Sequence, residues 1–313
     1  MVLSLVKKRL LIRADRLKKE VFVLEGQIIK ALSGFYYVYS DGKTYQTRAR
    51  GNFRKRKLTP LVGDDVVFQA DNTTDGYILE ILPRENELVR PQIANIDIAI
   101  LVFSATEPTF STNLADRFLV AIEKEDITPV ICISKMDIAS ENEQTAAQQA
   151  KEVYEAVGYE VFLTNQEVDQ DALLELVNGR VAVIAGQSGV GKSTLLNQLN
   201  PELTLSTAEI SNALGRGRHT TRHVELLPIG EGFIADTPGF SSIDYDDLLP
   251  ENLQFCFPEI EDRRSGCKFR GCLHENEPAC AVKTAVAEKE IAHFRYDDYL
   301  QILTELKNRK PRY

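Results

Sequence analysis

The chain has 313 residues, 43% hydrophobic and 27% charged, with a formal net charge of −9. This excludes a disordered or fibrous chain and allows two or three domains. No apolar run approaches the roughly 20 residues that span a bilayer, no signal-peptide pattern opens the sequence, and the acidic balance means that any nucleic-acid contact must rest on local basic patches.

Residues 1–23 read as an N-terminal extension, basic and amphipathic, with Leu3, Leu10, Leu11 and Leu17 among Lys7, Lys8, Arg9, Arg13, Arg16, Lys18 and Lys19. Residues 24–88 then change to short β-rich runs, Gly26–Leu32, Phe35–Tyr39, Lys43–Ala49, Val66–Ala70 and Gly76–Leu82, with Asp41-Gly42 as a hairpin signal. That count and spacing predict a small closed barrel of the OB type. The connection with Arg48, Arg50, Arg54, Lys55, Arg56 and Lys57 carries no acid and includes Phe53. It is suited to track a phosphate backbone with an aromatic ring available for stacking; a solubilising charge run is the alternative.

Residues 89–245 alternate strand and helix. Ile96–Phe103 and Thr128–Ile133 are buried strands and Glu160–Thr164 a third strand, and Asn113–Glu123 and Glu141–Val157 are helices. The alternation predicts a doubly wound parallel sheet, whose ligands sit at the carboxyl ends of strands. Ser134-Lys135-Met136-Asp137 falls at such an end and resembles the Asn-Lys-x-Asp guanine motif. The Asp137 carboxylate can accept from guanine N1–H and its exocyclic amine, a donor pair that adenine lacks, while the Lys135 stem can pack along the base. Thr164-Asn165, at the end of the next strand, marks the place for a third base-contacting loop.

Gly186-Gln187-Ser188-Gly189-Val190-Gly191-Lys192-Ser193-Thr194 fits G-x-x-x-x-G-K-[ST] between a β-branched run, Val181–Ala185, and a helical segment, Thr194–Leu199. Glycines let successive N–H groups turn towards phosphate oxygens, and the helix N-terminus adds positive partial charge. Lys192 is placed to reach the β- and γ-phosphates, and the Ser193 hydroxyl to ligate Mg²⁺. Downstream comes Gly215-Arg216-Gly217-Arg218-His219-Thr220-Thr221, with Thr220 or Thr221 suited to complete the Mg²⁺ shell. A strand then ends in Asp236-Thr237-Pro238-Gly239, where Asp236 can hold Mg²⁺ through water and the Gly239 N–H can meet the γ-phosphate.

Residues 246–313 hold Cys267-x₄-Cys272-x-His274-x₅-Cys280, a closed Cys₃His set of the structural zinc kind. Clustered cysteines of this kind point to a reducing compartment, the cytoplasm. Cys132 and Cys256 lie among apolar residues and read as core. Arg263, Arg264, Lys268 and Arg270 surround the cluster, and Tyr296–Arg312 reads as a terminal helix ending in Lys307, Arg309, Lys310 and Arg312; these cations are candidates to grip RNA.

The base-reading motif precedes the phosphate loop here, the reverse of ordinary GTPases. With the flanking barrel and cysteine cluster, this resembles the circularly permuted GTPases of the small-ribosomal-subunit-dependent GTPase A (RsgA) family, over roughly residues 24 to 313. The resemblance implies a multi-domain chain: an OB-type barrel, a circularly permuted α/β P-loop GTPase domain and an α-rich zinc module. It also implies a monomeric GTPase that binds GTP and GDP with Mg²⁺, holds one structural Zn²⁺, touches the 30S subunit and its 16S rRNA, and assists late maturation of that subunit. Family members usually carry Asn at the position of Ser134, so the shorter serine predicts weaker guanine affinity with retained preference. Phe240 stands where many GTPases have glutamine, so intrinsic hydrolysis should be slow, and His219 is the nearest group able to position water. Nucleotide state is expected to set the pose of the zinc module through the short link from Asp236. An ATP-using P-loop enzyme and a non-enzymatic zinc/OB RNA-binding protein are the rival readings.

Overall fold

The computed structural model describes residues 23–51, 53, 58–89, 91–164, 170–199, 224–236, 245 and 247–309. Residues 1–22, Arg54, Lys55, Arg56, Lys57, Asn165, His219, Thr220, Thr221, Gly239, Phe240, Lys310 and Arg312 lie outside them, and for Asp236 the backbone alone is described.

Five strands form the barrel: β1 Val23–Leu32, β2 Phe35–Ser40, β3 Lys43–Ala49, β4 Asp65–Ala70 and β5 Gly76–Ile81. β1 pairs antiparallel with both β2 and β4, β2 with β3, β4 with β5, and a parallel β3–β5 pairing closes the ring. Period-two alternation turns Ile28, Val38, Val66, Phe68 and Ile78 inwards, all fully buried. The β2–β3 hairpin turns on Asp41 and Gly42, both at positive φ (48° and 75°), the backbone that an Asp-Gly pair favours. Gly26 faces β2 so closely that a Cβ there would lie 2.4 Å from the Tyr39 carbonyl oxygen. Phe53, expected to be available for stacking, is instead buried in the barrel core. An isolated aromatic on an otherwise polar connection gains more from apolar burial than from exposure.

The passage from the barrel to the next unit is built as a short hairpin, β6 Glu87–Val89 with β7 Gln92–Ala94. Arg84 anchors it by pairing with the buried Asp64 at 2.6 Å and with Glu87 at 2.5 Å.

The second unit is the expected doubly wound sheet. Its strands are β8 Ile98–Ser104, β9 Thr128–Ser134, β10 Glu160–Leu163, β11 Val181–Ala185, β12 Glu225–Ile229 and β13 Gly232–Asp236. The order is β10-β9-β8-β11-β13-β12, parallel except for β12. The helices are α1 Thr112–Glu123, α2 Glu141–Val157, α3 Gln170–Val177 and α4 Lys192–Leu199. Every residue of β8 is buried, which fits its unbroken apolar sequence at the centre of the sheet. Chain direction across the sheet reverses between β8 and β11, so a ligand crevice is expected at their carboxyl ends. β12 also pairs with β1 through Lys30 and Glu225, so one sheet of eleven strands runs through both units.

A 3₁₀ helix, Pro250–Cys256, then α5 Pro258–Arg264, α6 Ala281–Ala287 and α7 His293–Asn308 form the last unit. Cys132 and Cys256 are buried, as their apolar neighbours predict.

Candidate functional site

A cavity of about 260 Å³ opens at the switch point of the sheet. Ser134, Lys135, Asp137 and Ile138 line it from the loop after β9, Thr164 from the end of β10, and Gly191 and Thr194 from the loop and helix after β11. The two sequence motifs, far apart in the chain, therefore share one wall.

The loop after β11 is shaped by its glycines. Gly186 sits at φ 141°, and a Cβ there would lie 2.1 Å from the Val102 carbonyl oxygen on β8. Only glycine allows that approach. Gly191, at φ 92°, hands the chain to α4, whose first bond runs from Leu195 N–H to the Gly191 carbonyl at 2.9 Å. The N–H groups of the first turn have no partner within the helix and face the loop side. Lys192 Nζ donates to the carbonyls of Gly186 (2.7 Å) and Gln187 (2.5 Å), and burial pushes its pKa down. Ser188, Gly189 and Thr194 are exposed, Ser193 is half-buried, and Val190 packs into the core.

The loop after β9 is tied to this one. Ser134 Oγ donates to the Val190 carbonyl at 2.7 Å and lies 3.0 Å from that of Phe103. Serine therefore reaches the phosphate-type loop despite its length. Lys135 sits at φ 61°, and its ammonium donates to the Glu107 carbonyl at 2.7 Å. Met136 N–H donates to the Thr164 carbonyl at 3.3 Å, which joins the ends of β9 and β10. Asp137 is exposed on the cavity side. Gln144 on α2 holds the loop from behind, donating to the carbonyls of Met136 (2.9 Å) and Ala139 (3.0 Å). The start of α2 is fixed by a capping box between Ser140 and Glu143. Gln144 and Ile138 were missed in the sequence; the Ser-x-x-Glu spacing at 140–143 was the available signal for this support. The backbone of Asp236 ends β13, beside β11 in the sheet.

Away from this crevice, Cys267, Cys272, His274 and Cys280 bring their ligand atoms within 4.8 Å of one another, an arrangement able to hold a metal ion. Cys267 Sγ lies 3.8 Å from Cys280 Sγ, and His274 Nδ1 lies 3.5 and 3.4 Å from those two sulfurs. His274 Nε2 faces Gln254 Oε1 at 3.3 Å, so Nε2 carries the proton and Nδ1 offers its lone pair to the cluster. Tyr296 and Tyr299 of α7 donate to the carbonyls of His274 (2.6 Å) and Leu273 (3.1 Å) and hold the turn in place. Burial, with Cys280 and Cys267 adjacent, pushes the Cys272 thiol up to about 12. A divalent cation held by these four residues would offset this by stabilising the thiolates.

The RsgA GTPase family model matches residues 81–246, and the RsgA N-terminal domain model matches residues 25–78. A "Small ribosomal subunit biogenesis GTPase RsgA 2" of Listeria monocytogenes is 75% identical over 291 residues, 93% of this chain and 100% of the relative. The "Small ribosomal subunit biogenesis GTPase RsgA" of Enterococcus faecalis is 57% identical over 290 residues, 93% of this chain and 98% of that one. Among solved structures, the circularly permuted GTPase YloQ superposes with a TM-score of 0.81 at 49% identity, covering 93% of this chain and 97% of that one. YjeQ from Thermotoga maritima gives a TM-score of 0.81 at 34% identity, covering 92% and 100%. Matched across barrel, permuted sheet and metal-ligand module, the chain belongs to the RsgA family of circularly permuted GTPases.

Proposed function

We propose that this chain hydrolyses GTP on the small ribosomal subunit and so assists the late maturation of that subunit. The observation that carries the reading is the shared cavity: Asp137 and the Gly191–Thr194 turn line one space, so one nucleotide can meet a carboxylate at its base and backbone amides at its phosphates. Asp137 reads guanine, Lys135 supports the base with its stem, and Ser134 and Met136 hold that loop in register with its neighbours. Gly186, Gln187, Ser188, Gly189, Val190 and Gly191 give the turn whose amides face phosphate, with Lys192 and Thr194 at its helical end. Bound Mg²⁺ would draw charge from the β- and γ-phosphates, with Ser193, Thr221 and Asp236 as the groups to hold it. Gly239 offers an N–H to the γ-phosphate, and His219 positions the attacking water. The chain acts as a monomer in the cytoplasm, in three working units, 24–88, 89–245 and 246–313.

The Cys₃His cluster holds structural zinc. A tetrahedral Zn²⁺ with bonds of about 2.3 Å to sulfur and 2.0 Å to nitrogen would have edges of about 3.5–3.8 Å, which agrees with the 3.4, 3.5 and 3.8 Å separations among Cys267, His274 and Cys280, with the Cys272 sulfur within 4.8 Å of these. All four ligands come from the protein, so the ion's contribution is to hold the turns of the module.

The test is GTP turnover titrated with purified 30S subunits, with ATP as competitor. Stimulated turnover that ATP does not suppress is expected, falling at least about 100-fold in His219→Ala. Turnover indifferent to subunits would reject the reading, and near wild-type turnover in the variant would remove His219 from it.

A further inference from the structure

The metal module carries two phenyl rings in water on the rim of one cleft. The cleft, about 670 Å³, is lined by Glu251, Phe255, Arg264, Lys268, Phe269 and Arg270, and its floor is the metal ligands Cys267, Cys272 and His274. That volume lies within the roughly 300–1,000 Å³ of small-ligand sites. Phe255 is 41% exposed and Phe269 45% exposed, although Leu253, Cys256 and Phe257 on the same stretch are buried. Leaving both rings out forgoes burial that their neighbours take.

Each ring has a cation beside it. The Arg264 guanidinium lies 4.7 Å from the Phe255 centroid, and the Lys268 ammonium 5.6 Å from that of Phe269. Among the described residues, Arg264, Lys268 and Arg270 form no ion pair, whereas the adjacent Arg263 is paired with Glu290 at 2.9 Å. Three cations against Glu251 make this cleft locally basic in a chain whose net charge is −9. The frame is fixed. Phe269 stands in the loop between Cys267 and Cys272, where Lys268 N–H donates to the Ala279 carbonyl at 3.2 Å, and Phe255 stands on the 3₁₀ helix that also supplies Gln254 to His274.

Exposed rings interleaved with unpaired cations suit a polyanion that also presents flat π-faces. A duplex keeps its bases stacked and offers phosphates alone, while a single strand or bulge offers both. We propose that this cleft takes an unpaired base of an RNA strand, stacked on Phe255 or Phe269, with the flanking phosphates on Arg264, Lys268 and Arg270. The proposal rests on the reading that ribosomal RNA is this chain's partner, and it adds the nucleotide conformation that the metal module selects.

Anisotropy of the metal-loaded full chain with a labelled single-stranded RNA of about 12 nucleotides, and with a duplex of the same length, tests it. Phe269→Ala or Phe255→Ala, whichever removes the ring that carries the base, should weaken single-strand binding about 5- to 100-fold, with duplex binding within twofold and metal content unchanged in both. Phe269→Trp should restore affinity, since a larger ring still stacks. Arg270→Gln should lower the salt slope by about 0.7. Absent single-strand binding by the unaltered chain, flat affinity in both alanine variants, or equal losses on single strand and duplex would overturn the proposal. So would weaker binding to 30S subunits with unaltered oligonucleotide binding, which would assign the cleft to a ribosomal protein. Subunit-stimulated GTP turnover of the unaltered chain separates the two levels. Without stimulation the wider reading fails; with stimulation and a flat oligonucleotide result, the cleft alone fails.

Discussion

Ser134 shows how one residue is read differently in a sequence and in a fold. As a letter it is a shortened asparagine, and its length predicts a lost brace. In the structure β9 ends so close to the loop after β11 that the hydroxyl reaches the Val190 carbonyl at 2.7 Å. What serine lacks is a second polar atom to offer a base. Ser134→Ala should therefore weaken GDP binding about fivefold, the worth of one neutral hydrogen bond. Ser134→Asn should tighten it. Calorimetric titration of both variants checks this, and unchanged affinity in each would detach Ser134 from the nucleotide. Gly186 was easier to read, because a glycine at the start of such a loop has few other uses. Its reason is visible only in space, where the Val102 carbonyl occupies the position of the missing side chain.

At the scale of elements, α7 is fastened to the central unit by a buried ion cluster. Arg295 reaches Asp116 on α1 at 2.5 Å and Glu259 on α5 at 2.6 Å, with Phe257 4.5 Å and Tyr154 5.5 Å from its guanidinium. Tyr154 on α2 also donates to Asp116 at 2.7 Å. Burial pushes Asp116 up to about 7 while Arg295 pulls it down, so losing the guanidinium strands a buried carboxylate. Arg295→Met should cost about 3–5 kcal/mol of unfolding free energy, and the double change with Asp116→Asn should recover part of it. Denaturant titration of the four chains decides; additive losses would mean the pair is not coupled. A chelator should loosen the same region, because a metal ion on the Cys₃His cluster would hold its turns. Loss of α7 amide protection on chelation is expected, and unaltered hydrogen exchange would show that the module stands without metal. The metal ligands were legible from the sequence, but the Arg295 ion cluster was not. Arg295 looks like one more surface cation, and the 3₁₀ helix and α5 are too short for apolar periodicity to register. The long, strongly patterned elements were legible: α2 runs over Glu141–Val157, the same bounds expected from the sequence.

For the whole molecule, the sequence separated barrel, sheet and metal module but gave no sign of how they join. β12 bonds to β1 through Lys30 and Glu225, so the barrel extends the nucleotide-binding sheet. A single cross-strand pair leaves no periodic trace in either segment. Likewise α7 is clamped to α1, which starts shortly after the Glu107 carbonyl that Lys135 holds. Any nucleotide-driven movement of the metal module must then carry α1 with it, a second route beside the covalent link from β13. Salt-controlled binding of 30S subunits with GDP and with a non-hydrolysable GTP analogue should differ by about tenfold or more. Equal affinities would leave no switch to transmit.

The claim beneath all of this is that a carboxylate placed ahead of the phosphate loop in the chain reads the purine bound behind it. Asp137→Asn replaces an acceptor pair by an amide that can donate to the 2-oxo group of xanthine. Equilibrium binding of GDP and xanthosine diphosphate to both chains is the decisive measurement. GDP should bind roughly 100-fold or more weakly to the variant and xanthosine diphosphate more tightly; undiminished GDP affinity would mean that Asp137 does not touch the base.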